Sequence, residues 1–315
     1  MPQQILDLAP DEPLHVAVPP EIAEALTGVS PRLRLHPFHP RDGVPTGEAV
    51  ESQVWVPPSG YPTVPDDVVR ALPRLRLVQL VTAGAERFIG RLPERVVLCN
   101  ARGAHTPSTA EWVMAATLAA QRGIPFFTRE QDAGRWTFCR QHTLFGARVL
   151  VVGAGDIGRA VARMLDGFGV GVDLVARSAR DGVHATSELP RLLPEADVVI
   201  VVVPVTPETT GMVDAAFLAA MKDDALLVNA ARGVIVDTDA LLAELTSGRL
   251  RAALDVTDPE PLPAGHPLWT APGLLLTPHV GGEIPGTVER GAASVTQQLR
   301  RVLAGEPLAD VVGDY

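Results

Sequence analysis

Three polar residues that lie far apart along the chain could together carry out hydride-transfer chemistry: Arg232, Glu260 and His279. An imidazole can take the hydroxyl proton of an alcohol as hydride leaves the carbon, or return a proton to a carbonyl oxygen in the reverse direction. A neighbouring carboxylate would hold one imidazole tautomer and favour the protonated form. A guanidinium offers a planar pair of donors to a carboxylate and polarises the adjacent carbonyl. Each residue alone fits an ordinary structural role, so the prediction depends on all three meeting.

A glycine pattern, Gly153-x-Gly155-x-x-Gly158, lies between a predicted strand and a predicted helix. Glycines at this spacing permit a tight turn and a close approach of the backbone to a pyrophosphate, whose charge is favoured at a helix N-terminus. The alternative is a plain glycine-rich turn, but the strand-to-helix context favours a dinucleotide site. The loop residues expected at the cofactor are Gly153, Ala154, Gly155, Asp156, Ile157 and Gly158.

The end of the second predicted strand, near Ala176, indicates which nicotinamide cofactor binds. An NAD site would place an acid there for the ribose 2′-hydroxyl. Asp173 occurs at about the right distance, but it precedes the strand end by three residues and so faces the opposite side of the sheet. Arg177, Ser178 and Arg180 follow the strand and suit a 2′-phosphate, although they could be ordinary surface residues. We therefore expect NADP(H) to be preferred, with NAD(H) possible.

A doubly wound parallel sheet would bring these residues together. Short apolar runs alternate with amphipathic stretches, which is the pattern of parallel strands covered by helices. The glycine loop, Arg232, Glu260 and His279 each follow a predicted strand, and ligands bind at the carboxyl ends of such strands. Six strands are predicted here: Val149–Val152, Val172–Ala176, Val198–Val203, Ala225–Val228, Ala252–Val256 and Leu274–Thr277.

The length of 315 residues is enough for two domains. The N-terminal part repeats the alternation of strands and helices more weakly, and the last predicted helix, 286–303, is assigned to the same domain. We predict an α/β protein with two Rossmann-like or flavodoxin-like domains, parallel sheets and an active site in the interdomain cleft. The substrate domain is predicted to span 1–98 plus 285–315, and the dinucleotide-binding domain 99–284.

Composition and charge exclude several other classes. The hydrophobic fraction of 46% excludes a disordered chain, and the net charge of −10 argues against a nucleic-acid partner. The apolar runs are too short to cross a membrane, and residues 1–4 show no secretory signal pattern. Only two cysteines are present, which excludes a disulfide framework and favours a cytoplasmic location. Lys222, the only lysine, is not in a P-loop pattern. His36 and His39 lack further ligands nearby, so no metal site is predicted.

Over nearly its whole length the chain resembles the D-isomer-specific 2-hydroxyacid dehydrogenases. The resemblance rests on six segments: Gly153-Ala-Gly-Asp-Ile-Gly158, Thr206-Pro-Glu-Thr-Thr-Gly211, Asn229-Ala-Ala-Arg-Gly233, Asp255-Val-Thr-Asp-Pro-Glu-Pro-Leu262, His266-Pro-Leu-Trp269 and Thr277-Pro-His-Val-Gly-Gly282. It implies that Arg232, Glu260 and His279 are the catalytic residues. It also implies a homodimer formed through the nucleotide domain and the predicted helix 108–122.

The same resemblance implies further binding residues. Backbone N–H groups of Ala83, Gly84 and Ala85 would hold a substrate carboxylate. Additional cofactor contacts would come from Thr109, Pro204, Thr209, Ala230, Ala231, Asp255 and Gly281. In cofactor motif, Arg177-Ser178 is similar to the NADP-preferring glyoxylate and hydroxypyruvate reductases of this family.

The prediction is therefore an NADP-preferring oxidoreductase that interconverts a small 2-oxo acid and its D-2-hydroxy acid. One alternative is a binding protein of the same fold that senses the nicotinamide redox state without turnover. Another Rossmann enzyme, such as a methyltransferase, would explain the glycines but leave Glu260 and His279 without a role. The loop at residues 83–88 departs from the commoner Gly-Val-Asp form of the family. The sequence therefore does not predict which side chain the 2-oxo acid carries.

Overall fold

A computed structural model describes Leu6, residues 8–59 and residues 66–313. Residues 1–4, in which no secretory signal was predicted, lie outside the described residues. The strands in the described ranges are β1 (Leu14–Val18), β2 (Leu33–Pro37), β3 (Val54–Trp55), β4 (Leu77–Gln79), β5 (Val97–Cys99), β6 (Arg148–Val152), β7 (Gly171–Ala176), β8 (His184–Ala185), β9 (Val198–Val201), β10 (Leu226–Asn229), β11 (Arg251–Leu254) and β12 (Leu274–Leu276).

The helices in the same ranges are α1 (Pro20–Leu26), α2 (Asp66–Ala71), α3 (Thr106–Gln121), α4 (Ile124–Asp132), α5 (Asp156–Leu165), α6 (Leu189–Leu192), α7 (Ala215–Ala220), α8 (Thr238–Ser247) and α9 (Thr287–Ala304). Among these described helices, none combines the length and hydrophobicity that a bilayer span requires.

The chain divides into two compact units. Unit 1 comprises 1–105 and 285–315, and unit 2 comprises 106–284. The first break therefore falls directly before α3, whereas the sequence placed a domain limit at 98/99. The assignment of substrate and nucleotide binding to domains with the predicted limits stays a prediction.

Unit 1 is built on a five-stranded parallel sheet in the order β2-β1-β3-β4-β5. One face carries Leu14, Val16 and Leu77 and packs on α1 and α9. The other face carries Trp55 and packs on α2 and on Phe88. Because both faces are covered, the strands are apolar on both sides, which explains their short continuous apolar runs.

Unit 2 is built on a seven-stranded parallel sheet in the order β12-β11-β10-β9-β6-β7-β8. The six predicted strands are all present, and β8 is an additional short edge strand. From β6 the chain proceeds outward to β7 and β8 on one side, then crosses to β9 and continues to β12 on the other. The strand order therefore reverses between β6 and β9, the position at which doubly wound sheets bind ligands.

Charged residues line the amino edge of the seven-stranded sheet. Asp197 precedes β9, and its carboxylate accepts hydrogen bonds from Nζ of Lys222 at 2.5 Å and from the N–H of Arg148 at 2.9 Å. Arg148 begins β6, and its guanidinium lies 3.4 Å from the carboxylate of Asp173 within β7. Asp173 thus contributes to this network from inside the strand. Strands of four to six residues place the amino edge about 15 Å from the carboxyl edge.

A segment after α3, here called the arm (residues 124–146), exposes aromatic side chains while its backbone is fixed by polar contacts. Glu130 accepts hydrogen bonds from Arg135 and Thr137, and the bonds from these two residues, that from Arg135 first, lower the pKa of Glu130 to about 2. The side chain of Trp136 is 100% exposed and that of Phe138 88% exposed. The sequence did not predict α4, because its apolar residues face outward and leave no buried stripe.

Candidate functional site

The glycine loop joins β6 to α5, and two of its glycines are required by the fold itself. Gly153 has φ +122°, and a Cβ there would collide with the carbonyl of Val202. A Cβ at Gly158 would collide with the carbonyl of Gly153, because the first turn of α5 lies directly against the end of β6. These two residues allow the helix to begin close to the strand.

Gly155 is different, since neither its backbone nor its packing requires a glycine. Its φ of −82° is open to any residue, and a Cβ there would meet no atom of the chain within 4 Å. The open space lies at the N-terminus of α5, where backbone N–H groups and the helix dipole favour an anion. A side chain would fill this space, so the loop has the form of a cradle that fits a pyrophosphate.

The turn after β7 lies against this loop. Arg180 and Val183 exchange two backbone hydrogen bonds of 3.0 and 2.8 Å, which close the turn. The guanidinium of Arg180 donates to the carbonyl of Ala154 at 3.2 Å. The hydrogen bond from Thr206 contributes most to lowering the pKa of Glu208, and the positive charge of Arg177 also lowers it. The structure therefore brings the predicted arginines to the same end of the sheet as the glycine loop.

Arg232 follows β10 in a loop that packs on the loop after β11. Its Nη1 donates to the carbonyl of Ala231 at 2.7 Å. The next residue, Gly233, leaves no room for a Cβ, because the backbone of Thr257 and Asp258 lies directly against it. The loop that carries Arg232 is thus in backbone contact with the loop that leads to Glu260.

Glu260 and His279 form a direct contact, with Oε1 of Glu260 2.7 Å from Nδ1 of His279. The two side chains are 36% and 40% exposed, so both are partly open to solvent. Thr238 donates to the carbonyl of Asp258 at 2.9 Å and helps fix the glutamate loop. A carboxylate at Nδ1 favours a proton on that nitrogen, which leaves Nε2 as the atom that can accept or return a proton.

The backbone at His279 adopts the left-handed conformation, with φ +56°, which is uncommon for a residue other than glycine. Asp255, which is 4% exposed, holds this turn. Its carbonyl accepts the N–H of His279 at 2.7 Å, and its carboxylate accepts the N–H of Val280 at 2.9 Å, the N–H of Gly281 at 2.7 Å and the hydroxyl of Thr277 at 2.6 Å. Asp255 therefore stabilises the histidine turn, and its predicted contact with the nicotinamide stays a prediction.

The remaining cofactor residues predicted in unit 2 lie at the carboxyl edge or in α3. Thr209 closes the loop after β9, since its hydroxyl donates to the carbonyl of Pro204 at 2.7 Å and accepts the N–H of Thr206 at 2.8 Å. Ala230 and Ala231 directly follow β10, and Thr109 is buried near the start of α3. Their cofactor contacts stay predictions.

In unit 1 the loop after β4 holds the residues predicted to bind a carboxylate. Asn100 donates from Nδ2 to the carbonyl of Ala83 at 2.7 Å, and the hydroxyl of Thr82 donates to the carbonyl of Gly84 at 3.4 Å. The N–H groups of residues 83–85 donate to no acceptor within the described chain. Consecutive N–H groups of this kind form a concave site for an anion.

Two residues of structural importance at these loops were not singled out from the sequence, Asn100 and Asn229. They are the only asparagines of the chain, and each stands where a strand ends, Asn229 as the last residue of β10 and Asn100 directly after β5. An asparagine at the end of a strand often closes the following loop, because its side chain can form hydrogen bonds with the backbone.

Comparison with known proteins places these features in a family. The family model described as D-isomer specific 2-hydroxyacid dehydrogenase, NAD binding domain, matches residues 114–281. This range includes the glycine loop, Arg232, Glu260 and His279, but not residues 83–85.

Individual bacterial proteins are also similar to this chain. The chain is 37% identical over 262 residues to D-3-phosphoglycerate dehydrogenase of Mycobacterium bovis, an alignment that covers 79% of this chain and 49% of that protein. The chain thus spans about half the length of that relative. It is 33% identical over 263 residues to glyoxylate/hydroxypyruvate reductase B of Citrobacter koseri, covering 78% and 80% of the two chains.

Among solved structures, the D-isomer specific 2-hydroxyacid dehydrogenase of Xanthobacter autotrophicus in complex with NADPH and MES superposes with a TM-score of 0.84. It is 32% identical, and the superposition covers 96% of this chain and 98% of that one.

Proposed function

Because the chain belongs to the D-isomer specific 2-hydroxyacid dehydrogenase family, we propose that it transfers hydride between a nicotinamide cofactor and a small acid, interconverting a 2-oxo acid and its D-2-hydroxy acid. The observation that carries the proposal is the 2.7 Å contact between Glu260 and His279 at the carboxyl edge of the sheet that also bears the glycine loop. A base with an orienting carboxylate at this edge has the form required for proton transfer during hydride transfer.

In the proposed reaction, side chains and backbone groups of the protein transfer the proton and bind the substrate. When bound, the nicotinamide supplies or accepts the hydride. His279 donates a proton from Nε2 to the carbonyl oxygen during reduction and takes it back from the hydroxyl during oxidation. Glu260 keeps the imidazole oriented and stabilises its positive charge after proton uptake. The guanidinium of Arg232 binds the substrate carboxylate and polarises the neighbouring carbonyl, while the N–H groups of residues 83–85 bind the carboxylate as well.

The proposed cofactor preference is NADP(H), with NAD(H) possible. Arg177, Ser178 and Arg180 would bind the 2′-phosphate, and the contact of Arg180 with the glycine loop supports this assignment. A guanidinium pair next to a hydroxyl suits a phosphate better than a ribose diol. The Xanthobacter autotrophicus relative was solved with NADPH.

We further propose a homodimer in which the arm takes part. Fully exposed Trp136 and nearly fully exposed Phe138 lie on a backbone fixed by Glu130, which is the form of a pre-organised interface rather than of a mobile loop. The resemblance of the chain to its family implied the dimer, and the exposed aromatic residues support it.

The experiment that tests the function is a comparison of NADPH and NADH oxidation with glyoxylate, hydroxypyruvate, pyruvate and bulkier 2-oxo acids. We expect the absorbance of NADPH to fall with at least one of these acids, and more slowly with NADH. Tight binding of the cofactor without turnover across the whole panel would contradict the proposal and favour a redox-sensing binding protein.

A further inference from the structure

Asn229 is the last residue of β10 and is fully buried. Both polar atoms of its amide are used within the loop that carries Arg232. Oδ1 accepts the N–H of Ala231 at 3.0 Å, and Nδ2 donates to the carbonyl of Arg232 at 3.0 Å. One side chain therefore fixes the peptide groups on both sides of the Ala231–Arg232 peptide bond.

The peptide between Ala231 and Arg232 is in direct contact with the guanidinium of Arg232. Its carbonyl accepts a hydrogen bond from Nη1 of Arg232 at 2.7 Å. Since Asn229 holds the peptides on both sides, it restrains the backbone positions of Ala231 and Arg232, between which this carbonyl lies. It thereby helps to place the guanidinium that is bonded to the carbonyl.

The backbone of Asn229 extends the same support to the other catalytic loops. Its carbonyl accepts the N–H of Asp255 at 3.0 Å, and Asp255 in turn holds the left-handed turn at His279. On the other side, Gly233 packs directly on the backbone of Thr257, at the start of the loop that leads to Glu260. The two hydrogen bonds of the amide side chain, by contrast, both go to the arginine loop.

We infer that Asn229 is a positioning residue that sets the guanidinium of Arg232 for the substrate carboxylate and carbonyl. The inference rests on the proposed function, because the guanidinium has this task only in that reaction. It predicts a specific pattern: loss of the amide should impair the use of the 2-oxo acid, whereas the contact of Glu260 with His279 should persist.

The main variant is Asn229→Ala, which removes both hydrogen bonds. We expect kcat/KM for the 2-oxo acid to fall by about a hundredfold, the loss that a displacement of about 1 Å can cause. The shape of the pH profile should stay as in the wild type, since the imidazole and its carboxylate partner are not touched. The kcat/KM of Asn229→Ser should lie between those of the wild type and Asn229→Ala. A serine hydroxyl can still accept the N–H of Ala231, but the side chain is too short to reach the carbonyl of Arg232.

A double-variant comparison separates positioning from general stability. If Asn229 acts through Arg232, then Asn229→Ala combined with Arg232→Ala should be no slower than Arg232→Ala alone. A further loss in the double variant would overturn the inference.

The matched control is Val228→Ala, which truncates the fully buried neighbour in β10 and leaves the amide in place. We expect this control to lower the melting temperature while keeping kcat/KM within about twofold of the wild type; a hundredfold loss there would overturn the inference too.

A structural readout decides the inference without any turnover. Crystal structures of the wild type and of Asn229→Ser, the milder variant, should show Nη1 of Arg232 at hydrogen-bond distance from the carbonyl of Ala231 only in the wild type. If the guanidinium keeps its place in the variant, the inference is wrong whatever the activity. If the wild type turns over no 2-oxo acid but the guanidinium moves in the variant, the proposed function fails while Asn229 retains its positioning role.

Discussion

Oε1 of Glu260 lies 2.7 Å from Nδ1 of His279 on the neighbouring loop. Both side chains are more than a third exposed, and exposed pairs of this kind stabilise a fold by only about 0–1 kcal/mol. The contact is therefore of use mainly because it fixes the orientation of the imidazole.

Replacement of Glu260 by Gln should separate orientation from charge. The amide oxygen can still accept the Nδ1 proton, but the negative charge next to the imidazolium is lost, so we expect kcat to fall by about tenfold to a hundredfold. The control for Glu260→Gln is Glu283→Gln, the same change at an exposed residue four positions after His279. We expect this control to leave kcat unchanged.

His279→Asn should abolish turnover and leave NADPH binding intact, as measured by NADPH fluorescence. Undiminished turnover of His279→Asn would reject the assignment of the base.

Substitution by alanine should lower the affinity for NADPH at Gly155 and the stability of the fold at Gly158. Gly155→Ala meets no atom of the chain, so we expect an unchanged melting temperature and a loss of NADPH affinity of tenfold or more, because the methyl group occupies the space left for the pyrophosphate. Gly158→Ala collides with the carbonyl of Gly153 and should destabilise the fold, by about 1–3 kcal/mol. Calorimetry and fluorescence titration measure the two effects. Normal NADPH affinity in Gly155→Ala would contradict the cradle.

Arg177→Asp should weaken NADPH and favour NADH. The carboxylate repels the 2′-phosphate but can accept hydrogen bonds from a ribose diol, so we expect the KM for NADPH to rise by about tenfold or more. Arg163→Asp makes the same charge change on an exposed residue in the last turn of α5, at the end away from the glycine loop, and should leave both KM values unchanged. An unaltered KM for NADPH in Arg177→Asp would show that this arginine does not bind the phosphate.

Trp136→Glu should dissociate the proposed dimer. The substitution places a charge on the fully exposed aromatic part of the arm, where it would be buried without a partner in an interface. Light scattering after gel filtration should then give half the molar mass of the wild type. Trp269→Glu, at a tryptophan that is 53% exposed elsewhere in unit 2, serves as the control and should remain dimeric. A wild type that is already monomeric would refute the proposed assembly.

A histidine pair in unit 1 should make stability depend on pH. Nδ1 of His15 lies 2.9 Å from Nε2 of His36, which leaves room for one proton between them. Burial, followed by the charge of His15, lowers the pKa of His36, while Glu48 acts in the opposite direction. The unfolded chain therefore takes up the proton at a higher pH than the folded chain. As the pH falls through the ordinary histidine value of about 6.5, the free energy of unfolding should decrease.

His36→Gln tests this dependence, since glutamine can bond to His15 but does not titrate. Urea unfolding at pH 7.5 and pH 5.5 should show a smaller loss of stability in the variant than in the wild type. Equal losses in both proteins would rule out the pair as the cause.

Periodicity and spacing predicted the parts of the fold that bury apolar surface on both sides. The strands that carry the glycine loop, Arg232 and His279 are such elements, and each predicted strand of unit 2 is present within a few residues. The sequence predicted no element at α4, α6, α7 or β8. α6 and α7 have four and six residues and β8 has two, which is too short for a periodic pattern, while α4 exposes Ile124 and Phe126. An apolar pattern cannot reveal an element whose stability comes from polar contacts, such as those of Glu130.

The site was predictable where function depends on side-chain type, and less so where it depends on backbone support. An imidazole, a carboxylate and a guanidinium at consecutive strand ends indicate their chemistry directly. The left-handed backbone at His279 and the support it receives from Asp255 depend on how two loops meet in space. No spacing in the sequence fixes that geometry, so the bonds by which Asp255 holds the histidine turn were not predicted.

The single lysine side chain has a practical consequence. Lys222 lies at the amino edge of the seven-stranded sheet, paired with Asp197 and still half open to solvent. A reagent that couples to lysine side chains would thus attach unit 2 to a bead or an electrode through one residue, about 15 Å, the length of the strands, from the loops of Arg232 and His279. When unit 2 is coupled through this side chain, those loops lie at the opposite edge of its sheet from the point of attachment.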